Sequence, residues 1–346
     1  MKMTRRDVLR VAGGIGMFSL AAAKRCSAQS SNEAEHVATS VMQFYKLNAE
    51  PLVKSSYPTH PRFDNGVAGQ VVVITAHGLE RVDWENRPEK NCWLLRLPEL
   101  LYLNNKRFDH QVGMDWRKER ETWLYTDCPL RNLSGSWRNR EKMQLAPDVD
   151  KNVPTVGKMA GTVQSDSLGT HYTLSVTNTS DEIWKDVFFW ICLSHYQSPI
   201  IGYRPHFRVG ESWLPAQEMP FAQDHTYYPT PGMVNEYGRC AETRSEFRAA
   251  HIELSFPGVV CWNHTTKGPL LVCHYSEDAM AVGSNQLWPC TDLQLWFGDL
   301  APGEQRSKTG HVLVAECNLK TFGEQADSIR ERLDARLPER KSKGVG

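Results

Sequence analysis

The sequence predicts an all-β protein, a large antiparallel β-sandwich with a short N-terminal helix and a C-terminal helix. Short apolar runs and alternating apolar and polar residues recur from about Gly69 onward, separated by turn signals. Helix signals are confined to the two ends of the chain. Strands do not alternate with helical segments, as a parallel sheet would require, so an antiparallel sandwich is expected.

Composition indicates a folded chain with an acidic body. The 346 residues are 40% apolar and include 11 Trp, which is too apolar for a disordered protein. Residues 1–28 hold six of the 40 basic residues and one of the 40 acidic ones, which leaves 34 basic and 39 acidic residues. Nucleic-acid binding needs a concentrated basic face, so we expect no nucleic-acid partner.

The N-terminus resembles a bacterial twin-arginine export signal. Arg5-Arg6 precede the apolar stretch Val11–Ala23, and Cys26-Ser27-Ala28 offers small residues for cleavage after Ala28. The alternative, a transmembrane anchor, would need about 20 apolar residues, more than this stretch provides. We therefore expect a periplasmic or secreted protein with no stable membrane insertion after signal removal.

The sequence divides the chain into four regions. They are the export signal at 1–28, an N-terminal extension at 29–68, the sandwich domain at 69–320, and the C-terminal helix with its basic tail at 321–346. The polar segment Asp148–Pro154 is the best candidate for a boundary between two halves of the chain. Signal removal leaves eight of the nine cysteines, and an oxidising compartment would permit disulfides whose connectivity stays open.

The predicted elements begin with a short helix at Asn32–Tyr45 and a buried strand at Val71–Ile74. Asn104-Asn105 after Leu100–Leu103 indicates a hairpin turn, because Asn tolerates positive φ. Further strands are expected at 172–177, 187–193, 251–256, 259–264, 270–275, 293–297 and 311–316. The segment 187–193 is apolar throughout, which is typical of a central strand covered on both faces.

The later part of the chain contains a turn and a helix. Ala301-Pro302-Gly303-Glu304 predicts the turn. Thr321-Phe322-Gly323-Glu324 has the form of a capping box at a helix start. Apolar residues at helical spacing follow it, namely Phe322, Ala326, Ile329, Leu333 and Leu337.

Three motifs resemble the galactose mutarotase-like supersandwich proteins of bacteria. They are Asn105-Lys106-Arg107-Phe108-Asp109, the segment Leu174–Ser180, and Phe297-Gly298-Asp299-Leu300-Ala301-Pro302-Gly303-Glu304. That superfamily includes aldose epimerases and sandwich domains of polysaccharide lyases and glycosidases. The resemblance implies a carbohydrate as partner. In aldose epimerases a histidine acts together with a carboxylate from late in the sequence. We assign neither role to a residue of this chain, because no residue here lies in that family's local motif.

The loop after the central strand is the first candidate site. It brings His195, Tyr203, Arg204 and His206 within a dozen residues, where a sandwich presents its end loops. Tyr203, His195 or His206 is the expected catalytic base of a lyase, and Arg204 would stabilise the developing negative charge. The alternative is that these residues pack the loop.

Two other segments are candidates for sugar binding. His225 and Tyr227 lie in a polar and aromatic loop that could face the first one. Arg107 and Asp109 are two residues apart and would share a face of a strand, where they could contact hydroxyls or form a structural ion pair.

Cys261, His264, Cys273 and His274 suggest a metal site, but the expected hairpin geometry argues against it. A loop at 265–269 would set Cys261 opposite Cys273 and put the two histidines about 13 Å apart on the other face. We therefore expect no metal ligand set and no cofactor. The sequence favours an exported carbohydrate-recognising protein, acting as a polysaccharide lyase or sugar epimerase. The alternatives are a non-catalytic sugar-binding or scaffold protein, or a metal-dependent oxidoreductase.

Overall fold

The structure of the protein is a computed structural model. It describes residues 42–51, 71–79, 92–104, 106–109, 115–131, 155–167, 169–195, 203–219, 226–242, 248–249, 252–265, 268–285 and 289–335. In chain order the described elements are β1 (Leu47–Pro51), β2 (Val71–Ala76), β3 (Cys92–Leu103), β4 (Lys106–Asp109), β5 (Arg117–Glu119), β6 (Thr122–Arg131), β7 (Thr155–Asp166), β8 (Gly169–Asn178), β9 (Trp184–Ser194), β10 (Arg204–Val209), β11 (Ser212–Pro215), β12 (Thr226–Pro229), α1 (Val234–Glu242), β13 (Arg248–Ala249), β14 (Gly258–Thr265), β15 (Gly268–Tyr275), β16 (Ala279–Asn285), β17 (Cys290–Leu300), β18 (Gln305–Glu316) and α2 (Phe322–Asp334).

The strands form two sheets. The first sheet has the order β1-β2-β3-β9-β17-β16-β12-β13, with β4 paired to β3. The second sheet has the order β11-β10-β14-β15-β18-β8-β7-β6-β5. Neighbouring strands of the described chain run antiparallel, apart from the short parallel pair of β12 and β13. The predicted all-β antiparallel sandwich is confirmed.

Side-chain alternation separates an inner and an outer face of each sheet. On β9, Phe189, Ile191 and Leu193 enter the core between the sheets, whereas Phe188 and Trp190 belong to an aromatic cluster on the other side. That cluster covers part of the outer face of the first sheet and includes Tyr237 of α1. The predicted central strand is therefore buried on both faces.

Helix α2 covers the outer face of the second sheet. Its apolar residues Ala326, Ile329 and Leu333 join a buried cluster with Val260 and Leu271 of the sheet. The spacing of these residues is that of one helix face, which confirms the C-terminal helix expected near Thr321.

Two predicted turns are present. Leu103 pairs with Lys106, so a two-residue turn joins β3 and β4, and Asn104 takes a φ of 51°. The turn at 301–304 closes with a hydrogen bond of 3.0 Å from the Glu304 amide to the Ala301 carbonyl, and Gly303 has a φ of 75°.

The helix predictions were incomplete. Helix α1 lies in the middle of the chain, where no helix was expected, and its buried residues Tyr237 and Cys240 follow helical spacing. Most of the N-terminal helix predicted at 32–45 lies outside the described residues. Within its last part, Phe44 forms an isolated β-bridge with Ala315 instead of a helical turn.

The strand predicted at 251–256 was wrong over its described part. Leu254 and Phe256 are both buried, which produces the alternating pattern. However, the Leu254 amide donates to Pro229 and the Ser255 amide donates to Arg208, two different segments, so no continuous ladder forms.

The predicted register of β14 and β15 was wrong by one residue. Thr265 pairs with Gly268, so two residues connect the strands instead of five. Cys261 is therefore opposite Val272 and points into the sandwich core, whereas Cys273 lies in the cluster under α2. The two cysteines are therefore not opposite each other, because a one-residue slip in register moves a side chain to the other face of the sheet.

Two strand pairings describe how the parts of the chain join. Strands β6 and β7 pair along their length, so the residues before and after the polar segment 148–154 belong to one sheet. Strand β1 pairs with β2 and adds residues before position 69 to the sandwich.

The eight cysteines that follow residue 28 are free thiols. Neither helix of the described chain is long and apolar enough to cross a bilayer.

Candidate functional site

The candidate site is a row of residues across the outer face of the first sheet. Arg96 of β3 pairs with Cys192 of β9, which pairs with Asp292 of β17. Asp292 pairs with Gly283 of β16, and Gly283 pairs with Tyr227 of β12. Directly paired positions share a face, so these five residues form one line across five strands. We call it the outer-face row.

Gly283 allows Tyr227 to reach across the row. A Cβ atom at Gly283 would lie 2.5 Å from the Tyr227 ring, so the ring occupies the space that a side chain would fill. The Tyr227 hydroxyl passes over β16 and donates to Oδ2 of Asp292 at 2.9 Å. Because Gly283 has no side chain, Tyr227 on β12 and Asp292 on β17 are in contact although their strands are not neighbours.

Two thiols lie beside the Asp292 carboxyl. Cys290 is two residues before Asp292 on β17 and shares its face, and its Sγ lies 3.6 Å from Asp292 Oδ2. One ligand atom from each of Cys192, Cys290 and Asp292 lies within 4.8 Å of the other two. All three residues are buried, and Asp292 is only 2% exposed.

Two buried polar atoms on β17 lack hydrogen-bond partners within the described chain. They are Oδ1 of Asp292 and Nε2 of Gln294. Buried polar atoms usually have partners in native proteins, and exceptions often mark sites that bind something else. The two residues lie two apart on the same strand, so both atoms belong to the outer face.

Burial dominates the electrostatics of this face. Burial, followed by the nearby Glu99 carboxylate, raises the pKa of Asp292 to about 7. Burial likewise raises the pKa of Tyr227 well above its usual value. For Cys192, the hydrogen bond with Cys290 and then burial raise the pKa of the thiol. These shifts favour the protonated, uncharged forms of Asp292, Tyr227 and Cys192.

Arg96 and Glu99 form the more exposed end of the row. The Arg96 guanidinium donates to Glu99 Oε1 at 2.7 Å, and each side chain is 22% exposed. The pairing of β3 with β9 shifts register between Arg96 and Leu100, so Glu99 lies in an irregular stretch of the strand. This irregularity places the Glu99 side chain beside the side chain of Arg96, which is three residues before it in the sequence.

The predicted catalytic residue His195 belongs to a different, fully buried network between the sheets. Thr291 Oγ1 lies 3.2 Å from His195 Nε2, and the Asn263 amide oxygen accepts from His195 Nδ1 at 3.1 Å. On the other side of Thr291, its carbonyl lies 3.3 Å from His274 Nδ1, and His274 Nε2 lies 3.0 Å from the Tyr172 hydroxyl. Burial lowers the pKa of each histidine to about 3, so both are neutral.

The other residues of the first predicted site lie on two faces of the second sheet. The Tyr203 side chain packs against the sandwich core, and its hydroxyl donates to the Cys290 carbonyl at 2.5 Å. The His206 ring lies 4.2 Å from the Phe322 ring under α2, and Arg204 lies over Trp262. Tyr203 and His195 rings are 5.0 Å apart, but His206 does not converge with them. Their catalytic roles remain predictions.

The predicted sugar-binding residues have different outcomes. Tyr227 is part of the outer-face row. His225 lies outside the described residues. Arg107 and Asp109 lie on β4, where their positions pair with Tyr102 and Leu100 of β3, and their side chains lie outside the described part of the chain.

Sequence reasoning missed Arg96, Glu99, Cys192, Cys290 and Asp292. A usable signal was present in Cys290-Thr291-Asp292-Leu293-Gln294, where polar residues alternate with residues that enter the core. A buried strand with a carboxyl and an amide on one face is unusual, because such groups need partners. Arg96 and Cys192 carry no such signal, since they join the row only through strand order.

A separate surface concavity of about 590 Å³ lies at residues 43–46 and 77–79. None of the residues of the outer-face row lines it. We therefore place the candidate chemistry on the sheet face and not in this concavity.

Comparisons with known proteins give only distant structural similarity. No family model and no curated protein matches the chain. The chain is similar to a galactose mutarotase-like protein from Lactobacillus casei at 10% identity and a TM-score of 0.36, over 79% of this chain and 99% of that one. A protein from Synechocystis matches at 10% identity and a TM-score of 0.36, over 79% and 96%. A galactose mutarotase-like protein from Clostridium acetobutylicum matches at 11% identity and a TM-score of 0.28, over 72% and 94%.

Proposed function

We propose that this protein is exported and recognises a carbohydrate on the outer face of its first sheet. The observation that supports the proposal is the Arg96–Glu99 pair, which lies at the exposed end of a buried polar row. The pair is neutral overall and offers both donors and an acceptor. This combination suits vicinal sugar hydroxyls, each of which donates and accepts, better than it suits a free anion.

The same face offers apolar surface for a sugar ring. Trp296 is half-buried and belongs to the aromatic cluster that contains Trp190 and Tyr102. Gln294, next to Trp296 on the same face, has a buried amide nitrogen that could donate to a ligand. Ligand sites typically combine aromatic walls with a few polar groups of this kind.

If the protein is an enzyme, the proposed chemistry is that of a lyase or an epimerase. A lyase removes a proton from a sugar carbon and an aldose epimerase removes one from the anomeric hydroxyl, and Glu99 is a carboxylate on this face that solvent reaches. Tyr203 remains the predicted base in the first loop. Turnover that survives Tyr203→Phe but not Glu99→Gln would assign the base to the sheet face. Affinity without turnover in every case would indicate a sugar-binding or scaffold protein.

The test begins with a glycan array probed by the purified protein, followed by titration of the best ligand. Arg96→Gln removes a charge-assisted donor, which typically contributes about 1.5–3 kcal/mol, so we expect affinity to fall at least about tenfold. Lys308→Gln is the matched control, because Lys308 pairs with Asp278 at 2.8 Å on the other sheet and both side chains are 24% exposed. Equal binding by both variants, or no glycan binding at all, would overturn the proposal.

A further inference from the structure

We propose that Cys192, Cys290 and Asp292 bind a divalent cation of the zinc class on the outer face of the first sheet. Two thiols and one carboxyl are ligands that zinc accepts, in a set of three protein ligands with one further position. The proposal does not depend on carbohydrate recognition.

The distance between the Cys290 thiol and the Asp292 carboxyl fits a tetrahedral ion. With Zn–S at about 2.3 Å and Zn–O at about 2.1 Å, a sulfur and an oxygen bound to the same ion lie about 3.6 Å apart. Cys290 Sγ lies 3.6 Å from Asp292 Oδ2. The third ligand atom, from Cys192, lies within 4.8 Å of both partners, so a small side-chain rotation completes the set.

Strand geometry holds the three ligands together. Cys192 is directly opposite Asp292 in the pairing of β9 with β17, and Cys290 lies two residues away on the same face. Both strands are central in the first sheet, so the ligands have rigid backbones. A site on paired strands is better preorganised than a site on loops.

The surroundings orient the carboxyl, and the ion itself reduces the charge of the ligands. The Tyr227 hydroxyl donates to Oδ2 of Asp292, while Oδ1 is buried and has no hydrogen-bond partner among the described residues. The carboxyl is thus held in place with binding capacity unused, an arrangement common around metal ligands. Two thiolates, one carboxylate and a divalent ion carry one net negative charge, against three negative charges for the ionised ligands without the ion.

Zinc binding would displace the thiol protons of Cys192 and Cys290, because thiolate is the ligand form. No oxidation or reduction is involved. The fourth position would hold water or an atom of a bound molecule, as in zinc sites with three protein ligands.

The test measures metal content and ligand type in the purified full chain. After equilibration with zinc in a weak chelator, elemental analysis is expected to find one zinc ion per chain in the wild type. Cys192→Ser, Cys290→Ser and Asp292→Asn should each lose it. Cys240→Ser is the matched control, because Cys240 is also buried on the outer face but lies outside the ligand group, so it should keep the metal.

Cobalt substitution tests the ligands independently of protein stability. Cobalt added to the wild type should give thiolate-to-cobalt charge-transfer absorption and tetrahedral d–d bands, and both should disappear in Cys192→Ser. A wild type that binds no metal would refute the site, as would metal retained in all three ligand variants. A wild-type mass two hydrogens lighter, with Cys192 and Cys290 joined, would show a disulfide in place of the metal. Loss of glycan binding in Arg96→Gln with zinc retained would separate this site from the proposed function.

Discussion

The buried histidine network predicts that the protein loses stability in mild acid. His195 and His274 are fully buried, and burial lowers the pKa of each from 6.5 to about 3. In the unfolded chain both would take up a proton near pH 6.5, while in the folded protein they stay neutral. The unfolded state therefore binds more protons between pH 6.5 and 3, and stability falls as the pH drops through that window.

The size of the effect follows from the shift. Each pH unit inside the window costs about 1.4 kcal/mol per histidine, so at pH 5 each contributes a loss of about 2 kcal/mol relative to pH 8. The pair would thus reduce the free energy of unfolding by about 4 kcal/mol, a large part of a typical total of about 5–15 kcal/mol. His206, whose pKa burial lowers to about 4, adds to the same trend.

The assay is urea unfolding followed by tryptophan fluorescence at pH 8 and pH 5. Asp292 titrates in the same range with the opposite sign, because burial raises its pKa to about 7, and it offsets about 3 kcal/mol of the loss at pH 5. The contribution of a histidine is therefore read from the difference between a histidine variant and the wild type. His274→Gln should reduce the acid loss by about 2 kcal/mol, whereas the exposed control His77→Gln should leave it unchanged. An acid loss in His274→Gln equal to that of the wild type would refute the reasoning.

Three further predictions concern packing and export. Gly283→Ala should destabilise the protein by about 1–3 kcal/mol in urea unfolding, because its Cβ would meet the Tyr227 ring. The control Gly238→Ala in α1 meets no neighbouring atom and should be neutral or stabilising by up to about 1 kcal/mol. Equal effects of the two substitutions would contradict the assigned position of Tyr227. Ile329→Ala should cost about 2–5 kcal/mol, because Ile329 is fully buried between α2 and the second sheet, and a change below 0.5 kcal/mol would disprove that docking. Arg5→Lys combined with Arg6→Lys should leave the protein in the cytoplasm in cell fractionation, and normal export would rule out a twin-arginine signal.

The sequence alone determined the elements whose signal is periodic. Alternation in β8, the apolar run in β9 and the helical spacing in α2 each reflect a burial pattern that side-chain chemistry enforces locally. The Asn104-Asn105 turn was also predictable from local sequence, because few residues tolerate its backbone angles. Helix α1 was missed, although its buried positions are helically spaced, since nine residues give a short and weak signal.

Registers and spatial neighbours were decided only by the tertiary structure. The turn between β14 and β15 has two residues where the sequence suggested five, and the pairing of the two strands is shifted by one residue. This shift places Cys261 opposite Val272 instead of Cys273. His195 looked like an end-loop residue, yet it lies in the core beside Thr291 and Asn263. The outer-face row draws its residues from β3, β9, β12, β16 and β17. Strand order in the sheet sets those neighbours, and strand order depends on how the two sheets bury their inner faces together, which no local stretch of sequence encodes.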